Sequence, residues 1–139
     1  MRRGDVIADR FQIEHTAGSG GMGTVYRALD RQSGEPVALK VLRDTAEDQA
    51  RRFAKEAEVL HTLRHPRIVR YIAHGRTLGG QPFLAMEWLE GVSLSQLLRQ
   101  RSLTMQEAYQ MCLGTVEAVA VAHERKILHR DIKPGNLIL

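Results

Sequence analysis

The chain has 139 residues, 43% apolar and 26% charged, with a formal net charge of +4, which suits one soluble domain with a modest core. No apolar run approaches the roughly 20 residues of a membrane span, and the single Cys112 excludes an intrachain disulfide and argues against a structural zinc site. Basic residues are scattered and aromatics make up 5%, so no stacking surface for nucleic acid is expected.

The first residues, Met1-Arg2-Arg3-Gly4-Asp5 and then Val6-Ile7-Ala8-Asp9, are too short and too charged for a secretory signal. A cytoplasmic location is the resulting default. Residues 11–26 read as strand, glycine-rich turn, strand. Phe11 and Ile13 alternate with Gln12 and Glu14, then come Gly18-Ser19-Gly20-Gly21-Met22-Gly23 and Thr24-Val25-Tyr26. Four glycines in six positions let the backbone approach a ligand and turn its N–H groups toward phosphate oxygens. A dinucleotide fold would need the last glycine to open a helix. Here it opens a β-branched and aromatic run, and no Lys-Ser or Lys-Thr follows, so both the Rossmann and the P-loop patterns fail. A purely structural glycine turn remains the other reading at this point.

A turn over residues 30–36 leads into Val37-Ala38-Leu39-Lys40-Val41-Leu42. Lys40 lies in a strongly apolar strand, where its ammonium must find a partner or snorkel to water. Residues 46–63 are helical in period, with Phe53, Ala57, Val59, Leu60 and Leu63 on one arc. Glu56 falls within that arc, which makes Lys40 its natural partner, a rim contact being the alternative. His65-Pro66 stops the helix. Strands are expected at 68–74 and 81–87, joined by Thr77-Leu78-Gly79-Gly80, with a connector over 87–91. Ser93 with Gln96 and Thr104 with Glu107 form capping boxes. They predict helices near 94–99 and 105–125. The long helix carries Ala108, Met111, Cys112, Thr115, Val119 and Ala122 as an expected core stripe, with Cys112 an inert buried thiol.

The sequence ends on His129-Arg130-Asp131-Ile132-Lys133-Pro134-Gly135-Asn136 and an apolar Leu137-Ile138-Leu139. Pro134 and Gly135 prevent a continuing helix, so a tight loop running into a strand is expected. It carries an acid, an ammonium and an amide, which suit handling of a proton, a negative charge and a metal.

In this order the glycine loop, the Val-Ala-Leu-Lys strand, the helix glutamate and the His129-to-Asn136 loop resemble a serine/threonine protein kinase, most closely the bacterial eukaryotic-like kinases. The resemblance implies an α+β, protein-kinase-like fold. Residues 1–86 would be the small lobe, an antiparallel β-sheet with one αC-type helix. Residues 87–91 would be a hinge, and residues 92–139 the first helices of a truncated large lobe. It implies ATP and magnesium (Mg2+) as cofactors and a protein serine or threonine hydroxyl as substrate. Gly18, Ser19, Gly20, Gly21, Met22 and Gly23 would cover the ATP phosphates, and Lys40, paired with Glu56, would hold the α- and β-phosphates. Val25 and Ala38 would sandwich the adenine, Met86 would be the gatekeeper, and the backbone of Glu87 and Leu89 would meet the adenine edge. Asp131 would accept the hydroxyl proton, Lys133 would steady the transferring phosphate, and Asn136 would bind magnesium. The family's Asp-Phe-Gly segment, activation loop and Ala-Pro-Glu segment do not occur in these 139 residues. The expectation is therefore an amino-terminal portion whose long helix lacks covering partners and which alone shows weak or no phosphoryl transfer. The alternative is a short kinase-like module that binds nucleotide or a partner without catalysis.

Overall fold

The computed structural model describes residues 1–21, 23–43, 47–128 and 132–139, and only the backbone of 47–49, 52 and 56. Met22, His129, Arg130, Asp131 and the Glu56 side chain lie outside the described residues. The described residues form two units, residues 1–62 with 69–88 and residues 63–68 with 89–139.

The first unit contains β1 (Val6–Ile7), β2 (Phe11–Ser19), β3 (Gly23–Asp30), β4 (Pro36–Leu42), α1 (Glu47–Thr62), β5 (Tyr71–Arg76) and β6 (Pro82–Glu87). The strands make one antiparallel sheet in the order β1-β2-β3-β4-β6-β5. Alternation decides its two faces: Tyr26 and Ala28 on β3, Val37, Leu39 and Val41 on β4, and Phe83 and Ala85 on β6 are buried together with Phe11 and Ile13 of β2. At about 4.8 Å per strand, β2 and β6 would stand roughly 14 Å apart in a flat sheet. Yet the Phe11 and Phe83 rings meet edge to face with centroids 5.9 Å apart. The sheet is therefore curled, and the α+β, kinase-like architecture expected of this half of the chain is the one observed.

Asp30 pins the curl at the end of β3. Its buried carboxylate accepts from Arg10 Nε at 2.8 Å and Nη2 at 2.7 Å, and from the Gln32 amide at 3.0 Å. The Arg10 guanidinium holds the Asp30 carboxyl well below its ordinary value, at about 2. On the opposite face of the sheet α1 packs Phe53 and Ala57 onto Leu42 and Leu84, with Leu60, Tyr71 and Met86 alongside.

Two strand boundaries differ from the sequence reading. The strand expected at 68–74 is Tyr71–Arg76, because the residues after Pro66 are used in a turn. There the Ile68 amide donates to the His65 carbonyl at 3.0 Å and the Arg67 amide to His65 Nδ1 at 3.2 Å. The strand expected at 137–139 is an isolated bridge between Ser93 and Ile138.

In the second unit α2 (Leu94–Gln100) and α3 (Met105–Glu124) both begin on the predicted capping boxes. Thr104 Oγ1 accepts from the Glu107 amide at 3.2 Å, and the Thr104 amide donates to Glu107 Oε2 at 2.8 Å. Glu107 also takes both Arg101 terminal nitrogens, at 2.9 and 2.7 Å. Arg67 lies across α3, its Nε 3.2 Å from Glu117 Oε2, where a Cβ at Gly114 would strike the guanidinium. The core stripe is only partly realised. Ala122 is buried, Ala108, Met111, Thr115 and Val119 are half-buried, and Cys112 is exposed. The inert buried thiol is thus corrected. Cys112 sits at the edge of the inward arc, beside a second apolar row in which Met105 is 87%, Tyr109 64% and Val116 65% exposed.

Candidate functional site

The glycine hairpin is tighter than the sequence suggested. Gly18 and Ser19 belong to β2, opposite Val25 and Thr24, and the Gly20 amide donates to the Gly23 carbonyl at 2.9 Å. The glycines divide by cause. A Cβ at Gly23 would collide with the Val41 carbonyl oxygen, so Gly23 is needed for β3 to lie on β4. A Cβ at Gly18, Gly20 or Gly21 would meet nothing within 4 Å, and none of these three has a positive φ. Neither the fold nor the backbone conformation therefore requires glycine at these three positions. Gly18 borders a β-bulge, and the open space beside Gly20 and Gly21 leaves room for close approach of a ligand. A purely structural glycine turn explains Gly23 alone.

Register assembles the next group. Val25 is paired with Lys40, Lys40 with Leu84, and Ala38 with both Arg27 and Met86. Directly opposed residues share a face of the sheet, so Val25, Ala38, Lys40 and Met86 lie together on the face that α1 partly covers. All four are half-buried. Two side-chain clusters bound this shelf. At one end Lys40 Nζ is 5.4 Å from the Phe53 ring centroid, within cation–π range. At the other the Arg27 guanidinium stands 5.5 Å from the Trp88 ring centroid and pairs with Glu14.

Glu87 ends β6 with its amide donated to the Arg70 carbonyl at 3.0 Å, while its carboxylate Oε1 accepts from the Arg70 amide at 2.6 Å. Its amide is thus committed, and any contribution from its backbone to a ligand falls to the carbonyl oxygen, with its two lone pairs. Leu89, in the second unit, is exposed.

The second unit holds the remaining predicted residues. Lys133 precedes the 3-10 turn Pro134–Asn136, closed by the Asn136 amide on the Lys133 carbonyl at 2.9 Å. Both side chains are exposed. The turn is seated by three hydrogen bonds of residues 137–139 with 92–94: Leu94 N to Leu137 O at 2.8 Å, Leu139 N to Val92 O at 3.0 Å and Val92 N to Leu139 O at 3.2 Å. Gly91, with φ +151°, is required there, since a Cβ would strike the Leu139 carbonyl oxygen. The Lys40–Glu56 pair and the role of Asp131 concern groups outside the described residues.

A model of the protein kinase domain matches residues 11–139. The chain belongs to the protein kinase family. This kinase sequence is 36% identical over 137 residues to the serine/threonine-protein kinase pkn2 of Myxococcus xanthus, covering 96% of this chain and 16% of that protein. It is 38% identical over 143 residues to the serine/threonine-protein kinase PrkC of Bacillus subtilis, covering 100% of this chain and 22% of that protein. Among solved structures the kinase domain of M. tuberculosis PknI superposes with a TM-score of 0.89 at 30% identity, over 100% of this chain and 57% of that one. The likeness to bacterial serine/threonine kinases read from the four ordered motifs is thereby borne out. The chain spans only a fraction of these relatives' lengths.

Sequence reasoning missed two kinds of group. The part-buried Arg10–Asp30 pair joins residues twenty apart, and Asp30 had looked like an ordinary turn former. Arg43, whose Nη2 donates to Ser19 Oγ beside the tip of the glycine hairpin, had no local signal beyond following the Lys40 strand.

Proposed function

We propose that the kinase domain containing this chain transfers the γ-phosphoryl group of ATP to serine or threonine hydroxyls of protein substrates. The observation that carries the reading is the shelf of Val25, Ala38, Lys40 and Met86, next to a hairpin with open space beside Gly18, Gly20 and Gly21. An apolar shelf with one ammonium at its end and backbone amides beside it fits a flat base attached to a run of phosphates.

On this reading residues 1–86 act as the small lobe, residues 87–91 as the hinge and residues 92–139 as the start of the large lobe. Val25 and Ala38 pack on the adenine and Met86 borders it. The Glu87 carbonyl and the Leu89 backbone meet its edge. The 18–23 hairpin, including Ser19 and Met22, orients the phosphates with backbone amides other than that of Gly20, which is held by the Gly23 carbonyl. Lys40 neutralises the α- and β-phosphates, and Glu56 holds Lys40 in place. Asp131 takes the proton of the attacking hydroxyl, Lys133 offsets the charge that develops on the transferring group, and Asn136 is a ligand for magnesium. Magnesium, when bound, neutralises phosphate charge and fixes the phosphates' geometry. These residues contribute positioning and charge stabilisation, which is most of what phosphoryl transfer asks of a protein. ATP as donor carries with it a cytoplasmic location. Among the described residues no helix is long and apolar enough to cross a membrane.

Thermal unfolding of the chain with and without Mg-ATP, beside Lys40→Met, tests the reading. A ligand present at a thousand times its Kd stabilises by about 4 kcal/mol. The midpoint should rise with Mg-ATP in the wild type and not in Lys40→Met. An unchanged midpoint in the wild type at millimolar Mg-ATP would refute the nucleotide site.

A further inference from the structure

We infer that Arg43 is a strap across the glycine hairpin, gripping Ser19 and so governing how readily the hairpin opens and releases a nucleotide. The nucleotide half of this inference rests on the function proposed above; the mechanical half stands on the fold.

The two limbs of the hairpin are held very differently. The β3 limb is paired with β4 right to its tip, Gly23 opposite Leu42, Thr24 opposite Val41 and Val25 opposite Lys40. The β2 limb has β3 as its neighbour over the hairpin, and that ladder is interrupted twice, between Ile13 and His15 and between Thr16 and Gly18. Such bulges leave a residue unpaired and weaken the ladder locally. From His15 to Ser19 the limb is exposed, so no burial holds it down. The limb that can peel away is therefore β2.

Arg43 follows Leu42 directly, one residue beyond the end of β4. In the sheet, β3 lies between β4 and β2. Arg43 stands one residue beyond the Gly23–Leu42 pair that ends the β3–β4 ladder, and from there its guanidinium donates to Ser19 Oγ on β2, spanning the tip of the hairpin. It ties the loose limb to the strand that carries Lys40. Among the described residues the partner of this exposed arginine is a neutral hydroxyl rather than a carboxylate. The bond is charge-assisted but exposed, so water competes for both partners and its net strength is modest, which is what a latch that must open requires. Opening of the β2 limb withdraws the amides of residues 18–21 from whatever they hold.

The test is amide hydrogen exchange over residues 17–25 of the nucleotide-free chain, compared across Arg43→Ala, Ser19→Ala, the double variant and Ser19→Thr. Loss of one charge-assisted hydrogen bond on an exposed segment should speed exchange by about fivefold in each single alanine variant. The double variant should be no faster than either single one, because both remove the same contact. Ser19→Thr, which keeps the hydroxyl, should return the wild-type rate. Unchanged exchange in Arg43→Ala, or effects that multiply in the double variant, would overturn the strap. Dissociation of a fluorescent ATP analogue from the same proteins then reads the link to nucleotide. It should quicken by a similar factor in Arg43→Ala and Ser19→Ala. Faster hairpin exchange with unchanged dissociation would overturn the gating role. Faster exchange in a chain whose wild type binds no nucleotide would leave the strap standing and refute the function proposed above. Weaker binding in Arg43→Ala but not in Ser19→Ala would overturn the strap in favour of direct contact between Arg43 and phosphate.

Discussion

The glycines of the hairpin give a prediction in which two similar substitutions have opposite outcomes. In Gly23→Ala the new Cβ would collide with the Val41 carbonyl oxygen and lie 3.1 Å from the Val41 carbonyl carbon and 3.2 Å from Leu42 Cα. All of these are backbone atoms, so relief requires β3 to separate from β4. Overpacking of this kind costs about 3 kcal/mol. For a chain of this length that lowers the midpoint by roughly 10 °C. In Gly20→Ala the new Cβ meets nothing within 4 Å, and the φ is not positive. Restricting the unfolded chain should then stabilise by about 0.5 kcal/mol, or roughly 2 °C. If phosphates occupy the open space beside Gly20, the same methyl should weaken Mg-ATP binding about tenfold, which removes about 1.4 kcal/mol from the ligand-dependent stabilisation. Thermal unfolding of both variants with and without Mg-ATP reads all of these quantities. A Gly20→Ala protein as unstable as Gly23→Ala would refute the assignment of packing to Gly23 alone. A stable Gly20→Ala protein with the full wild-type response to Mg-ATP would refute the placement of phosphates at this hairpin.

Three further outcomes follow from the geometry. Asp30 has a folded pKa of about 2, below its unfolded value of 3.8, so its contribution is fully present above pH 4 and is lost as pH falls toward 2. It amounts to about 2 kcal/mol, and the difference between wild type and Asp30→Asn in urea unfolding should shrink by that amount over the window. A constant difference would contradict the Arg10 pairing. Thr104→Ala should lower stability by about 1 kcal/mol through loss of the α3 cap, measured by the same unfolding, with no loss refuting the capping box. Cys112 is exposed, so an aromatic disulfide reagent should titrate one thiol in the native chain within minutes; a thiol that reacts only after denaturation would refute its exposure.

What was legible in the sequence was what short-range chemistry decides. Ser93 with Gln96 and Thr104 with Glu107 fixed two helix starts to the residue, because a capping box closes within four positions. The Lys40 strand and the glycine hairpin were legible because alternation and glycine content are themselves the cause of those structures. Helical period also identified the inward arc of α3, but period says which residues share a face and not whether anything covers it. Cys112 and its exposed neighbours were misjudged for that reason. The early start given to β5 has the same origin. Ile68-Val69 reads as strand, and only the Pro66 turn and the lodging of Arg67 against Gly114 and Glu117 of α3 take that stretch out of the sheet.

The groups that hold the site in place were the least legible, and the reason is topological. Arg10 reaches Asp30 across a hairpin, and Arg43 reaches Ser19 from beyond the end of β4. Neither pair has a fixed spacing, since the number of residues between the partners depends on turn length and bulges rather than on the contact. The site residues differ in kind. Val25, Ala38, Lys40 and Met86 are brought to one shelf by strand register alone. A ligand surface built from register is readable once the strands are ordered, whereas the strength with which its loose edge is held is not. That strength is decided by single long-range contacts such as the one between Arg43 and Ser19. A comparison of kinase sequences confined to their motifs would therefore group chains with the same shelf while missing differences in how firmly each hairpin is held.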